Sequence, residues 1–383
     1  MDAKTKLKIK IGVPCFLVGV AISIYGGAGF IWSYFDDPLE FIRFLSDYRT
    51  VKNNYYKTAS DHELFQGATK GMVASLGDPY SSVLFGKDYD SFMEQVNGEY
   101  GGIGVVMSQG EDGKPVLLNV FPTGSAAQAG LMVGDILTAI DEKSTEDLGL
   151  DGTASAVRGE NGSTVEIDIN RNGESLHFTV ERSEITLPTV QSYMASPDIG
   201  YIHIYSFGSH TADEFKDQLD SLKTSGAKKL IIDVRMNPGG LIDSVVAVAN
   251  QILTKGTVVS YHTKNGKDED FNINGIEHPM PMAILIDKNS ASASEILAGA
   301  VQDKKEGTII GENSFGKGTV QAVLSDNNHN ALRISIAQYM TPSGKTIDKV
   351  GIQPDISIKQ TGFLFIKDKD NVIQKAVDVL SAQ

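Results

Sequence analysis

The sequence predicts a mixed α/β protein in which helices pack on a sheet, with a small β-rich module ahead of that core and an apolar helix at the start. Three observations predict it. Helix-like and strand-like segments alternate from about residue 200 onward. Glycine-rich turns alternate with short β-branched runs over residues 96–183. Residues 11–35 carry no charge. The chain has 383 residues, enough for two or three domains. Hydrophobic residues make up 41% and charged residues 21%, which disfavours wholesale disorder, collagen and a polytopic membrane protein.

The elements follow in order. Lys4, Lys6, Lys8 and Lys10 form a basic flank over residues 1–10, and Asp36 and Asp37 close the uncharged run. At about 1.5 Å per residue, residues 11–35 can cross a hydrocarbon layer roughly 30 Å thick. The lysines favour the cytoplasmic side, so everything after residue 35 is expected outside the cytoplasmic membrane, on a single-pass anchor. A cleaved signal peptide, giving a secreted protein, is the competing reading. Cys15 lies inside this run and is expected to be a small apolar residue facing lipid. Over residues 38–95, Phe41, Phe44, Leu45, Tyr48, Leu64, Ala68 and Met72 recur at three and four, the spacing of a helical region. Within 96–183, strands are expected at 115–120, 164–169 and 176–180. From 184 to 360 the expected elements are strands at 201–205 and 229–234 around a helix at 212–222, a helix at 241–253, and strands at 256–261, 282–287, 307–311, 319–324 and 331–340. A helix near 370–381 closes residues 361–383.

Composition also limits chemistry. With 34 basic against 48 acidic side chains, the net charge is -14, and no basic stripe could neutralise a phosphate backbone, so nucleic acid is not an expected partner. One cysteine excludes an internal disulfide framework and CxxC chemistry. The seven histidines show no metal spacing, and no metal or other cofactor is expected.

The densest chemical sequence is Asn289-Ser290-Ala291-Ser292-Ala293-Ser294-Glu295-Ile296, at a strand-to-helix junction. The first free N–H groups of a helix can stabilise an oxyanion, and a serine placed there can attack. Ser292-x-x-Glu295 is equally a capping box that would satisfy those N–H groups. A second element, Gly311-Glu312-Asn313-Ser314-Phe315-Gly316-Lys317-Gly318-Thr319-Val320-Gln321, comes close to a phosphate-binding loop. Gly318 stands where the magnesium-binding hydroxyl belongs, however, and the residues after it alternate like a strand. In an apolar setting Lys317 can lose its proton and act as a base, with the Gln321 amide oxygen placed to hold its amine; otherwise it is a solvated loop lysine. The third element, Asp233-Val234-Arg235-Met236-Asn237-Pro238-Gly239-Gly240, ends a strand with a turn, where N–H groups at Gly239 or Gly240 can approach a ligand. Ser225-x-x-Lys228 imitates a penicillin-binding motif but reads as a helix C-terminus.

These three motifs, in this order, resemble those of the carboxyl-terminal processing (tail-specific) serine protease family. Leu76-Gly77-Asp78-Pro79-Tyr80-Ser81, Thr341-Pro342-Ser343-Gly344-Lys345-Thr346-Ile347 and Gly351-Ile352-Gln353-Pro354-Asp355 extend the resemblance over nearly everything after residue 35. It implies a crotonase-like spiral αβ protease core over 184–360, with Ser292 as nucleophile, Lys317 as base, Gln321 as an assisting residue, and oxyanion donors on Ala293 and Gly239. Met236 departs from the asparagine usual there. Residues 96–183 resemble a PDZ domain, on Gly101-Gly102-Ile103-Gly104 and on Pro122-Thr123-Gly124-Ser125-Ala126-Ala127-Gln128-Ala129-Gly130-Leu131 with Gly134-Asp135. The first of these turns can gather N–H groups around a peptide carboxylate, and Arg158 can add a charged contact. The expected function is a membrane-anchored serine endopeptidase that recognises polypeptide C-termini; the alternative is a catalytically silent PDZ-based scaffold. The helical segments before Gln95 and after Asp368 could pair in a homo-oligomer.

Overall fold

The computed structural model describes residue 33 and residues 35–382, apart from 98, 111–112, 122–123, 187, 267, 327–328, 362–364 and 366–368. Apart from Ser33 and Phe35, the uncharged run 11–35, Cys15 included, lies outside the described residues, as does the Pro122-Thr123 part of the second PDZ-like motif. Among the described residues no helix is long and apolar enough to cross a membrane.

The chain divides into two compact units at Gly77 and Asp78. In the first, Asp37 caps the helix Pro38–Asn54 by accepting the Leu39 N–H at 3.0 Å. Ser60 and Glu63 form a reciprocal capping box on the helix Asp61–Ala74. Tyr48 stacks on Phe65 between the two helices, with centroids 5.1 Å apart.

The helical expectation for 38–95 fails after Ala74. Ser82–Phe85 is a strand, paired antiparallel with Asn330–Met340, and a helix returns only at Lys87–Asn97. Its partner is about 250 residues away, so local periodicity held no sign of it.

In the second unit, Val105–Gln109, Pro115–Val120, Ile136–Ile140, Thr164–Arg171 and Glu174–Glu181 form one antiparallel sheet in that order. Period-two burial explains it: Val165, Ile167 and Ile169 are fully buried while Glu166 and Asp168 alternate outward. The helix Thr145–Val157 packs on this sheet, and Glu99–Gly102 pairs with Ser183–Thr186 where the module's two ends meet.

The core is a six-stranded sheet in the order Val190–Met194, Ile199–Ile204, Lys229–Asp233, Met282–Ile286, Thr308–Gly311, Ile356–Ser357. All neighbours are parallel except the first pair. Met-Ala-Ile-Leu-Ile is buried at every position, the continuous apolar run required of a strand covered on both faces. Helices Thr211–Thr224, Ile242–Ala249 and Ala293–Lys304 share one apolar cluster with one face, and Asn371–Ser381 covers the other. The helix expected at 241–253 is therefore shorter, ending at the Asn250 cap. A further sheet joins Ser82–Phe85, Asn330–Met340, Gly256–Thr263 and Asp268–Ile273, with Thr319–Ser325 also paired to Asn330–Met340. The strand Asp268–Ile273, too charged to read as one, was not expected. Ser225 is indeed the C-cap of Thr211–Thr224.

Candidate active site

The parallel strands Lys229–Asp233 and Met282–Ile286 end side by side, and the two loops leaving them meet. In open α/β sheets this carboxyl edge is where ligands bind. Ser292 stands just before the helix Ala293–Lys304 with φ 56°, a left-handed backbone that a non-glycine residue rarely adopts. Asn237 holds the loops together: its carbonyl accepts the Ala291 N–H at 3.0 Å and the Ser294 hydroxyl at 3.0 Å, while its side chain donates to the Ile204 carbonyl at 2.8 Å. Gly239, at φ +102°, comes so close that an added Cβ would sit 2.7 Å from the Ala291 carbonyl oxygen and from Ser292 Cβ. Only glycine fits there.

Glu295 joins this loop to the lysine loop. One carboxylate oxygen accepts the N–H of Ser292 at 2.8 Å and of Lys317 at 3.0 Å; the other accepts the Ser314 hydroxyl at 2.6 Å and the Gly316 N–H at 2.7 Å. The carboxylate arm of the expected capping box is thus made, but it does more than cap. It is fully buried, and burial pushes the Glu295 carboxyl up while those four donors oppose the shift.

Lys317 is half-buried, with its Nζ 5.1 Å from the centroid of the Tyr80 ring. Burial first, then the Arg333 charge, pull its pKa below the ordinary lysine value, against Glu295 and Asp78. The Asp78-Pro79-Tyr80-Ser81 motif therefore lies at this site, and Arg333 donates to the Tyr80 carbonyl at 3.1 Å. Tyr339, buried and unforeseen, donates to the Lys317 carbonyl and also reaches the Ser292 side chain.

Two expected residues are placed differently from the reading above. The Gln321 amide nitrogen donates to Thr319 Oγ1 at 2.8 Å and to Ser335 Oγ at 3.1 Å, and no bond links Gln321 to Lys317. Lys317 lies before the strand Thr319–Ser325, so the alternation that would have faced the two together does not extend back to it. The Gly239 N–H already donates to Asn237 Oδ1 at 2.8 Å. Among the described residues, the N–H groups of Ala293 and Gly240 have no acceptor. Met236 has φ 58° and is exposed, its N–H donating to Asp287 Oδ1 at 3.0 Å.

Behind the turn, Arg235 is 1% exposed between two buried carboxylates. It donates to Asp233, and its Nη2 reaches Asp370 Oδ2 at 2.9 Å; Nη1 reaches Gln360 Oε1 at 2.6 Å. Asp370 is also the N-cap of Asn371–Ser381, accepting the Val372 N–H at 3.0 Å, so one guanidinium fastens the turn to that helix.

In the β-rich module, Gly101 and Gly102 lie on the strand Glu99–Gly102, followed by buried Ile103 and by Gly104 at φ 77°. The strand Val105–Gln109 that follows is a sheet edge, beside the helix Thr145–Val157. Arg158, exposed, is that helix's C-cap, and the Gly159 N–H donates to the Gly101 carbonyl at 3.1 Å, so the arginine stands beside the glycine turn. A Cβ on Gly101 would collide with the Gly159 carbonyl oxygen. Arg182 was missed: buried, it holds the helix end through the Ala156 and Val157 carbonyls.

Comparison with known proteins agrees with this arrangement. The profile of Peptidase family S41 matches residues 198–358, that of the PDZ domain 101–181, and that of the activating protease CtpB N-terminal domain 37–86. Carboxy-terminal processing protease CtpB of Bacillus subtilis (strain 168) is 34% identical over 348 residues, 88% of this chain and 72% of that protein. CtpA of the same strain is 33% identical over 312 residues, 81% and 67%. A solved structure assigned to the S41 proteases, from Bacteroides fragilis NCTC 9343, shares the fold at TM-score 0.54 and 15% identity, covering 85% of this chain and 92% of that one. The fold and these matches define a peptidase that carries a PDZ domain. The chain belongs to the carboxy-terminal processing protease family of serine proteases.

Proposed function

We propose that the protein is a membrane-anchored endopeptidase that works outside the cytoplasmic membrane with Ser292 as nucleophile and Lys317 as base. The observation that carries this reading is the single Glu295 oxygen that holds the backbone N–H of both residues. In the proposed reaction, neutral Lys317 Nζ takes the Ser292 hydroxyl proton as Oγ bonds to the scissile carbonyl carbon. The oxyanion forms beside the open Ala293 N–H, the ammonium returns its proton to the departing amine, and water then hydrolyses the acyl ester. The test is digestion of an unfolded protein by the full-length chain in mild detergent. Ser292→Ala should lower turnover by about a thousandfold or more, while Ser290→Ala leaves it measurable. Equal turnover by wild type and Ser292→Ala would exclude Ser292 as nucleophile.

The anchor is proposed on the four lysines and two aspartates that flank residues 11–35. A protease added outside sealed cells should then digest the part after residue 35. Its full protection would place that part in the cytoplasm.

The PDZ domain supports recognition of peptide C-termini. In this reading, a tail adds as a strand to Val105–Gln109 with its carboxylate at the Gly101–Gly104 turn. Amidating a substrate's C-terminus should slow its cleavage, and Arg158→Ala should give an overlapping, non-additive loss. Equal rates on amidated and free-acid tails would remove tail recognition from the mechanism.

A further inference from the structure

The strand Thr319–Ser325 pairs with Asn330–Met340, and among the described residues no strand pairs with its other edge. Its hydrogen-bonding direction can be read residue by residue. The Asp326 N–H donates to the Asn330 carbonyl at 3.1 Å, so Leu324 and Ala322, two and four residues back, also turn their N–H and C=O groups toward Asn330–Met340. Val323 and Gln321 must then turn theirs outward. The opposite strand agrees: Ser335, the partner of Gln321, points its N–H away from Thr319–Ser325 and donates to Ser81 Oγ at 3.0 Å. Among the described residues nothing bonds the main-chain N–H or C=O of Val323 or Gln321.

Sheet edges are normally blunted by charge, proline, shortness or a covering element. The outer strand Asp268–Ile273 carries Asp268, Glu269 and Asp270, and Glu174–Glu181 has a glutamate at each end. Ser82–Phe85 and Ile356–Ser357 are short, and Val190–Met194 gives its first N–H to Glu214 of the helix packed on it. Thr319–Ser325 has neither charge nor proline in seven residues, and Val323 and Leu324 are 38% and 58% exposed. In this it is like Val105–Gln109, the uncharged edge assigned above to the peptide tail.

Location decides the occupant. The strand begins two residues after Lys317, and one Glu295 oxygen holds the N–H of both Lys317 and Ser292. A chain laid along this edge therefore leads to the loop that is tied to the nucleophile. A second copy of the protein laid there would close both lysine loops to substrate, whereas an extended polypeptide can be cut and leave. We propose that the outer edge of Thr319–Ser325 pairs with the main chain of the polypeptide substrate, which adds to the sheet as a strand. The choice of substrate as occupant rests on the peptidase reading. Pairing through Val323 and Gln321 selects an extended backbone with little regard for side chains.

The test reads binding on the full-length Ser292→Ala chain in mild detergent, so no cleavage is needed. The probe is a fluorescent ten-residue peptide of alternating alanine and threonine with an amidated C-terminus, and its twin has the middle four amides N-methylated. The peptide should bind saturably and the twin about tenfold or more weakly, because the methyl groups remove the donors of the ladder. Hydrogen exchange over residues 319–325, read by mass spectrometry, should slow at saturating peptide and not with the twin. Val323→Pro removes one outward N–H and leaves the pairing with Asn330–Met340, so it should weaken the peptide about fivefold or more. Unchanged exchange over 319–325 at saturation overturns the proposal without any edge variant, and so does absence of binding. It also fails if Val323→Pro melts like its parent and binds the peptide equally, or if the chain sediments as a dimer that Val323→Pro dissociates, which would make a second copy the occupant. Protection of 319–325 in a protein whose wild type cleaves nothing would uphold the edge and sink the peptidase reading; cleavage without protection would do the reverse.

Discussion

Lys317→Arg is expected to be as inactive as Lys317→Ala, each about a thousandfold or more below the wild type in peptide cleavage. The reason is protonation, since a guanidinium keeps its charge throughout the working range and cannot accept the Ser292 proton. Lysine can accept it here because burial and the Arg333 charge lower its pKa. The sign follows: the base must be neutral, so the wild-type rate should climb with pH and level off below the ordinary lysine pKa of 10.5. Removing the positive charge at Arg333 should move that limb to higher pH. The pH profile of kcat/KM for the wild type, the two Lys317 variants and the Arg333 variant measures all of this, and substantial turnover by the arginine variant would take Lys317 out of the base role.

The second large effect is expected at Glu295. Each of its oxygens accepts from two donors, so glutamine must aim an amide –NH₂ at donors whichever way it turns. The milder orientation faces Ser314, whose hydroxyl can rotate to accept, and leaves the Gly316 N–H unpaired. An unsatisfied buried donor costs about 1–3 kcal/mol, the expected loss of stability in Glu295→Gln. Glu295→Ala strips all four donors and should cost more, on the order of 5 kcal/mol. Because the Glu295 charge raises the Lys317 pKa, Glu295→Gln should also shift the acid limb of the rate profile to lower pH. Thermal unfolding reads the first effect and the pH profile the second; an unmoved limb would show that Glu295 acts on geometry alone.

Much of this site could be read from sequence because its parts are contiguous. Residues 289–296, 315–321 and 233–240 each carry their own turn glycines and small residues, and the strands before them are plain apolar runs. What escaped depends on distant partners. Ser82–Phe85 becomes a strand only against Asn330–Met340, and Tyr339 reaches Lys317 from that same strand. Glu295 read as a helix cap because its other ligands, Ser314, Gly316 and Lys317, lie about twenty residues on. Gln321 was aimed by carrying strand alternation back to Lys317, which lies before the strand Thr319–Ser325 begins. Ligand approach left Gly239 and Gly240 equal and the family resemblance chose Gly239, whose close approach packs it against Ser292 and whose N–H is given to Asn237.

The clamp at Arg235 also sets a clock on synthesis. The guanidinium is made 135 residues before Asp370, and at about 5–20 residues per second a ribosome needs on the order of ten seconds to supply that partner. Until then Arg235 has only Asp233 of its two carboxylate partners, and the turn that carries Gly239 and Gly240 lacks its fastening to the helix Asn371–Ser381. A chain paused between these two points should keep its PDZ domain folded, since no part of that sheet draws on later residues, yet leave residues 235–240 open to limited proteolysis. Equal protection of that turn in paused and completed chains would mean that the clamp follows the site's assembly instead of timing it.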